Sequence, residues 1–267
     1  MNDDLERMLD HAVAAVTEAG ELIASMHARR AVDVDYKDGV EPVTSADLAC
    51  DALLQQCVLG RYPRHRILSE EGAASDDLTG PVWVIDPIDG TANYARGHRY
   101  VAISAAFCVN GVAQVGVVHA PWLGETFTAI RGGGAHLNGT RIEPSAVTEL
   151  ARSVVSTGFP QRRDGIEPLV ERVRRLLTQC QDIRRAASPA LDICWVAAGR
   201  LDAHTESLAP WDVAAACLVA TEAGAIRGRV TDRASTWPPD LCGDGLLVSA
   251  PGVHEDLKRL LAGIEGS

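Results

Sequence analysis

The stretch Val82-Trp83-Val84-Ile85-Asp86-Pro87-Ile88-Asp89-Gly90-Thr91 constrains this chain more than any other. An apolar run of the kind that forms a buried strand stops abruptly at two acids, a proline, a glycine and a hydroxyl. Open α/β sheets carry their chemistry at such strand ends, because the preceding strand holds the side chains rigidly. Pro87 fixes its own φ and biases Asp86 toward an extended backbone, and Asp89-Gly90 signals a turn. The segment predicts a strand over 81–86 and a tight bend that presents Asp86, Asp89 and Thr91 toward one point. Two carboxylates 4 Å apart repel by about 4 kcal/mol at an effective dielectric of about 20, so such crowding usually needs a cation.

Three further acids stand at similar edges. Arg66-Ile67-Leu68-Ser69 reads as a short strand running into Glu70-Glu71-Gly72, and period-2 alternation lets one glutamate point inward while the other faces water. Pro210-Trp211-Asp212 opens an apolar helical pattern, and Asp212 in its first turn also suits the helix dipole as a plain cap. Thr44-Ser45-Ala46-Asp47 starts another helix, where Thr44 and Asp47 match a capping box. Asp47, Glu70, Asp86, Asp89 and Asp212 thus all lie where an α/β fold collects a site. Oxygen ligands without His or Cys at metal-site spacing favour a hard cation such as Mg²⁺ over zinc.

Ser69-Glu70-Glu71, Asp86-Pro87-Ile88-Asp89-Gly90-Thr91 and Trp211-Asp212, in that order, resemble the inositol monophosphatase family of Mg²⁺-dependent, lithium-sensitive phosphomonoesterases, related to fructose-1,6-bisphosphatases. The resemblance covers nearly the whole chain. Lys37 before Pro42–Asp47, the run Gly132-Gly133-Gly134-Ala135-His136-Leu137-Asn138-Gly139, and Ala197–Asp202 also fit it. It implies a layered αβαβα sandwich, a homodimer, and two or three Mg²⁺ ions. Glu70, Asp86 and the Ile88 carbonyl would hold one ion, and Asp86, Asp89 and Asp212 a second. Thr91, polarised by Asp47, would orient and deprotonate a water beside Glu70. Asp89, Gly90, Thr91, Ser188, Glu206 and Asp212 would contact the substrate, a small polyol or sugar monophosphate with inositol 1-phosphate leading. Histidinol phosphate, another sugar phosphate or fructose 1,6-bisphosphate are the alternatives within the family, and a non-catalytic regulatory member is the alternative outside catalysis. Backbone N–H groups around Gly90-Thr91, at the start of a helix, suit phosphate oxygens on physical grounds as well.

The alcohol side of the substrate is where the chain departs from the family pattern. The family's Gly-Ser/Thr-Ala-Ala turn reads Ala187-Ser188-Pro189-Ala190, and the segment between Glu206 and Trp211 is one residue short. Proline has no N–H to offer a substrate hydroxyl, although it also favours the first position of a helix.

With 46% hydrophobic residues in 267, the chain buries a substantial core as one catalytic unit of two fused lobes, roughly 1–145 and 146–267. Its acidic N-terminus is unlike a targeting signal, and seven cysteines in largely apolar patterns read as reduced core residues of a cytoplasmic protein. A net charge of −11 argues against nucleic-acid and anionic-membrane partners. Most of the basic clusters Arg29-Arg30, Arg162-Arg163, Arg172/Arg174/Arg175 and Arg184-Arg185 read as solvated helix faces, a substrate-phosphate role being the alternative, and His98, His119, His136 and His204 read as core or surface histidines. Periodicity predicts helices over 3–28, 44–59, 166–179, 189–199 and 210–223. Strands are expected near 66–69, 81–86, 100–109, 113–119 and 125–130 as an antiparallel meander, then at 152–156, 181–185 and 201–205 in a second sheet flanked by helices.

Overall fold

The computed structural model describes residues 2–29, 33–37, 39–72, 77–160, 165–231 and 233–264. Its α/β architecture is a five-layer sandwich in the order helices, sheet, helices, sheet, helices. Helices α1 (Asn2–Ala28) and α2 (Ser45–Arg61) cover the outer face of a seven-stranded sheet. That sheet runs in chain order through β3 (Arg66–Ser69), β4 (Pro81–Asp89), β5 (Ala102–Val109), β6 (Val112–Ala120), β7 (Glu125–Ile130), β8 (Gly134–Leu137) and β9 (Thr140–Arg141). Before it, β1 (Val34–Lys37) and β2 (Glu41–Thr44) form a separate hairpin, and the short α3 (Thr91–Arg96) follows β4. The second sheet holds β10 (Val154–Thr157), β11 (Asp182–Arg184), β12 (Ala203–Leu208), β13 (Ile226–Arg229) and β14 (Gly243–Ser249) in the order β11-β10-β12-β14-β13. Helices α4 (Glu167–Gln179) and α7 (His254–Leu261) pack outside it, while α5 (Pro189–Ala197) and α6 (Pro210–Ala223) lie between the two sheets.

The middle layer explains why α6 is apolar on every side. Val213 through Ala220 are all buried, as a helix caught between two sheets requires. Its small residues allow close approach: a Cβ on Gly116 of β6 would lie 2.9 Å from the Ala215 carbonyl oxygen. α1 instead buries one stripe, Ala12, Ala15, Val16, Ala19 and Ile23, against the sheet.

Two expectations change. β3 pairs with β4 in parallel, so the antiparallel meander begins at β4 rather than at residue 66. β4 also does not stop at Asp86 but continues to Asp89 through a bulge, where three steps from Asp86 to Asp89 face two steps from Ser104 to Ala102. Pro87 cannot donate to the ladder, which places the irregularity there. The bulge matters for function. Side chains three apart on a regular strand point to opposite faces; one extra residue brings Asp86 and Asp89 to the same side.

Candidate functional site

A cleft of about 280 Å³ opens where β4, the start of α3, the turn before α5, the end of β12 and the start of α6 meet. Glu70, Asp86, Ile88, Asp89, Gly90, Thr91, Glu206 and Asp212 all line it, so the sequence candidates converge. Carboxylate oxygens of Asp86, Asp89 and Asp212 lie within 4.8 Å of one another. Burial first, and then the neighbouring carboxylates Glu70, Asp89 and Asp212, push the Asp86 carboxyl well above its usual range. Asp212 is raised well above its range by burial and by Asp89 and Glu70. Burial lifts Glu70 to about 7 even with Lys37 opposing it, and Asp89 to about 6 against three stabilising hydrogen bonds. Without a cation these groups hold protons at a pH where carboxyls ordinarily do not.

Local backbone bonds fix the aspartates. Asp86 Oδ1 accepts from the Ile88 N–H at 3.0 Å. Asp212 Oδ2 accepts from the Ala209 N–H at 2.8 Å, capping α6. Asp47, fully buried behind the cleft rather than lining it, accepts from the Thr44 N–H at 2.8 Å with Oδ2 and from the Thr91 hydroxyl at 2.9 Å with Oδ1. Thr91 Oγ1 also lies 3.1 Å from the Ile88 carbonyl, and its single proton serves one acceptor at a time. Gly90, the N-cap of α3, has φ +99°, and a Cβ there would stand 3.0 Å from the Ala187 carbonyl. The glycine thus serves both the turn and the close approach.

Ser188 is placed differently from its expected substrate contact. It is fully buried, and its hydroxyl donates to Asp89 Oδ2, which also accepts the Ala190 N–H at 2.9 Å. Asp89 thereby caps α5 from another element, and Ser188 is a positioning group. Pro189 is the first residue of α5 and also lines the cleft. Ala187, where the family pattern has glycine, takes φ +67° and is clamped by Asn93, whose Nδ2 donates to the neighbouring Ala186 carbonyl at 2.7 Å. Lys37 reaches across from the hairpin, 2.6 Å from Glu71 and 3.6 Å from Glu70.

Sequence reasoning missed the groups around Glu206. Its carboxylate is seated on Gly158, where a Cβ would lie 2.0 Å from Oε2. Asp192 is buried and accepts from the Tyr100 hydroxyl at 2.8 Å. His204, read as a core or surface histidine, is indeed buried, but it belongs to this cluster: Nδ1 lies 2.9 Å from Ser156 Oγ and Nε2 stands 3.8 Å from Glu206 Oε2. Nε2 has no hydrogen-bond partner among the described residues. Burial, reinforced by Arg172 and Arg185, holds the imidazole down at about 3, so it is neutral. Burial raises Asp192 and Glu206 each to about 7.

The solvated reading holds for Arg174, which pairs with Glu171, and for Arg184, which pairs with Asp182, whereas Arg175 is half-buried and donates to the Leu260 and Ala262 carbonyls at 2.9 and 2.8 Å. The reading fails for Arg172, only 3% exposed, while Arg185 is exposed and lines the cleft. Arg30, Arg162 and Arg163 lie outside the described residues. All seven cysteines are unpaired thiols, and among the described residues no helix is long and apolar enough to cross a membrane.

The model of the inositol monophosphatase family matches residues 4–264. A Nus factor SuhB of Vibrio cholerae is 38% identical over 257 residues, covering 95% of each chain. Inositol monophosphatase 1 of Solanum lycopersicum is 37% identical over 234 residues, covering 84% of this chain and 85% of its own. Among solved structures, an IMPase of Thermotoga maritima superposes with a TM-score of 0.86 at 29% identity, covering 97% of this chain and 98% of its own.

Proposed function

The chain belongs to the inositol monophosphatase family, and from that premise we propose that it is a Mg²⁺-dependent phosphomonoesterase acting on a small polyol or sugar phosphate, with inositol 1-phosphate the leading substrate. The observation that carries the reading is the convergence of buried Asp86, Asp89 and Asp212 beside Glu70 and a Thr91–Asp47 pair. The donor set fits a hard divalent cation: it is all carboxylate, and among the described residues the ion pair it makes is with Lys37 at the Glu70 edge. Glu70, Asp86 and the Ile88 carbonyl would hold one Mg²⁺, and Asp86, Asp89 and Asp212 another. Bound there, Mg²⁺ would lower the pKa of water, clamp the phosphate and neutralise the leaving alkoxide.

The chain's own residues then position the reactants, which is most of what phosphoryl transfer needs. Thr91 donates its proton to Asp47, which turns its lone pairs toward a water between it and Glu70. The phosphate lies over Gly90 and Thr91. Glu206 accepts a hydrogen bond from a hydroxyl of the alcohol half, and Pro189 withholds the N–H that another residue would give. A second reading, a partner-binding role without turnover, rests on the name Nus factor borne by several relatives; the complete acid set and the intact Thr91–Asp47 pair favour catalysis.

The test is phosphate release from inositol 1-phosphate, histidinol phosphate and fructose 1,6-bisphosphate with and without Mg²⁺, in the wild type and in Asp86→Asn. Mg²⁺-dependent turnover is expected in the wild type only. Turnover by Asp86→Asn at the wild-type rate would sink the metal assignment, and silence of the wild type on every ester would favour the partner-binding reading.

A further inference from the structure

His204 is fully buried on β12, two residues before Glu206, so the two side chains leave the strand on the same face. β10 runs beside them: Ser156 is the direct ladder partner of His204, and Gly158 seats the Glu206 carboxylate. Ser156 Oγ lies 2.9 Å from Nδ1, Asp192 Oδ2 lies 3.6 Å from the same nitrogen, and Glu206 Oε2 lies 3.8 Å from Nε2. Nε2 makes no hydrogen bond among the described residues. A buried ring nitrogen without a partner is uncommon, because its desolvation goes uncompensated. This one is aimed at the carboxylate that meets the alcohol half of the substrate.

The neighbours decide which ring nitrogen carries the proton. A neutral imidazole has one N–H and one lone pair. The Ser156 hydroxyl has one proton and two acceptors within reach, Nδ1 at 2.9 Å and the Ala203 carbonyl at 3.3 Å, and the shorter contact draws it to Nδ1. With Nδ1 accepting, the ring proton resides on Nε2 and points at Glu206. The opposite tautomer would set a bare lone pair against a carboxylate oxygen in a buried place, with no donor between them. We propose that His204, held by Ser156 as its Nε2–H tautomer, is a positioning residue for Glu206: its N–H engages Oε2 and leaves Oε1 to accept from the substrate hydroxyl. This rests on the phosphomonoesterase reading above and deepens it. Closing the gap from 3.8 Å to a hydrogen bond takes a shift of about 0.9 Å, which the end of a glutamate side chain makes without moving the strand.

The test compares His204→Phe and His204→Gln with the wild type on inositol 1-phosphate and on phenyl phosphate, whose leaving group offers Glu206 no hydroxyl. Phenylalanine fills the place of the ring without a donor, whereas glutamine carries an amide N–H near the position of Nε2. His204→Phe should lower kcat/KM on inositol 1-phosphate about tenfold, through KM rather than kcat, because Glu206 holds the hydroxyl in ground and transition states alike. On phenyl phosphate the loss should stay within about threefold, and His204→Gln should bring inositol 1-phosphate back to within about threefold of the wild type. In a Glu206→Ala background His204→Phe should cost nothing further. Equal losses on both esters, failure of glutamine to rescue, or additive losses in the double variant each overturn the proposal. Nitrogen NMR of isotope-labelled histidine reads the tautomer without turnover. The wild type should show the Nε2–H form of His204, and Ser156→Ala should convert it toward the Nδ1–H form that faces Asp192; an Nδ1–H form in the wild type overturns the proposal. If Mg²⁺ supports no hydrolysis of any ester, the phosphatase reading fails, and the Nε2 resonance then decides alone: a shift in Glu206→Ala upholds the pairing and an unmoved resonance overturns it.

Discussion

Gly158 is a silent position by chemistry and a decisive one by geometry. Its φ lies outside the left-handed region, so alanine meets no backbone strain there. The added Cβ, however, would stand 2.0 Å from Glu206 Oε2, 2.2 Å from Oε1 and 2.3 Å from Cδ. Reaching an ordinary contact of about 3.5 Å moves the carboxylate by about 1.5 Å, beyond the window in which a hydrogen bond to a substrate hydroxyl survives. The obstructed atoms end a side chain rather than a backbone, so the fold accommodates the change by swinging Glu206 away. A hydrogen bond to a charged group is worth about 1.5–3 kcal/mol, which converts to about a 10- to 150-fold loss in kcat/KM. Gly158→Ala should therefore reproduce Glu206→Ala on inositol 1-phosphate. On phenyl phosphate, whose leaving group has no hydroxyl for Glu206, both variants should stay within about threefold of the wild type. The double variant should be no worse than Glu206→Ala alone, because the two changes remove one interaction. Additive losses, or an equal loss on phenyl phosphate, would refute the argument that Gly158 acts only by seating Glu206.

Three further outcomes follow from the same geometry. Burial raises Glu70 from 4.5 to about 7 in the metal-free protein, so the folded state binds this proton more tightly than the unfolded chain; the resulting stability is full below pH 4.5 and lost as pH rises through about 7. For Glu70→Gln relative to the wild type, urea unfolding in EDTA should shift by about 3 kcal/mol in the variant's favour between pH 4 and pH 8.5, and a difference independent of pH would contradict the assignment; Mg²⁺ should raise the wild-type Tm more at pH 8 than at pH 5. Pro189→Ala should improve kcat/KM on inositol 1-phosphate about tenfold if the missing N–H leaves a substrate hydroxyl unpaired, and an unchanged value would leave the proline as a helix starter alone. Ala187→Gly relieves φ +67° at a cost in unfolded-chain entropy; thermal melts should show a gain of up to about 1 kcal/mol, and a clear loss would mean that Ala187 packs better than its backbone implies.

Much of this fold is legible because its signals are strong and local. The stripe on α1, the apolar α6 and the β4 run ending in acids are each decided by a few neighbouring residues. What escapes a linear reading depends on pairing across the chain. β12 joins β10 and β14, which sets His204 and Glu206 beside Ser156 and Gly158 and opposite sequence some 40 residues further on. Nothing in Arg184-Arg185 tells that Arg185 borders the cleft until β11 is laid beside β10. Ser188 looks like a substrate contact until Asp89, almost a hundred residues earlier, is found accepting its hydroxyl.

The acids themselves show why a cap and a site are not competing readings. A carboxylate has two oxygens, and in each of the three clustered aspartates at least one is committed to local backbone or to a neighbouring helix: Asp86 to Ile88, Asp89 to Ala190 and Asp212 to Ala209. The local bond fixes the side-chain rotamer, which leaves the second oxygen aimed with little entropy left to lose on binding a cation. Three acids are thereby held in a buried cluster whose repulsion would otherwise splay them apart. The arrangement also separates charge from structure. An Asp→Asn change keeps a carbonyl acceptor for the backbone bond while removing the charge a cation needs, so loss of metal affinity without loss of fold is the signature these residues should give. Loss of both together would mean that the cap, and not the cation, is what each acid is there to serve.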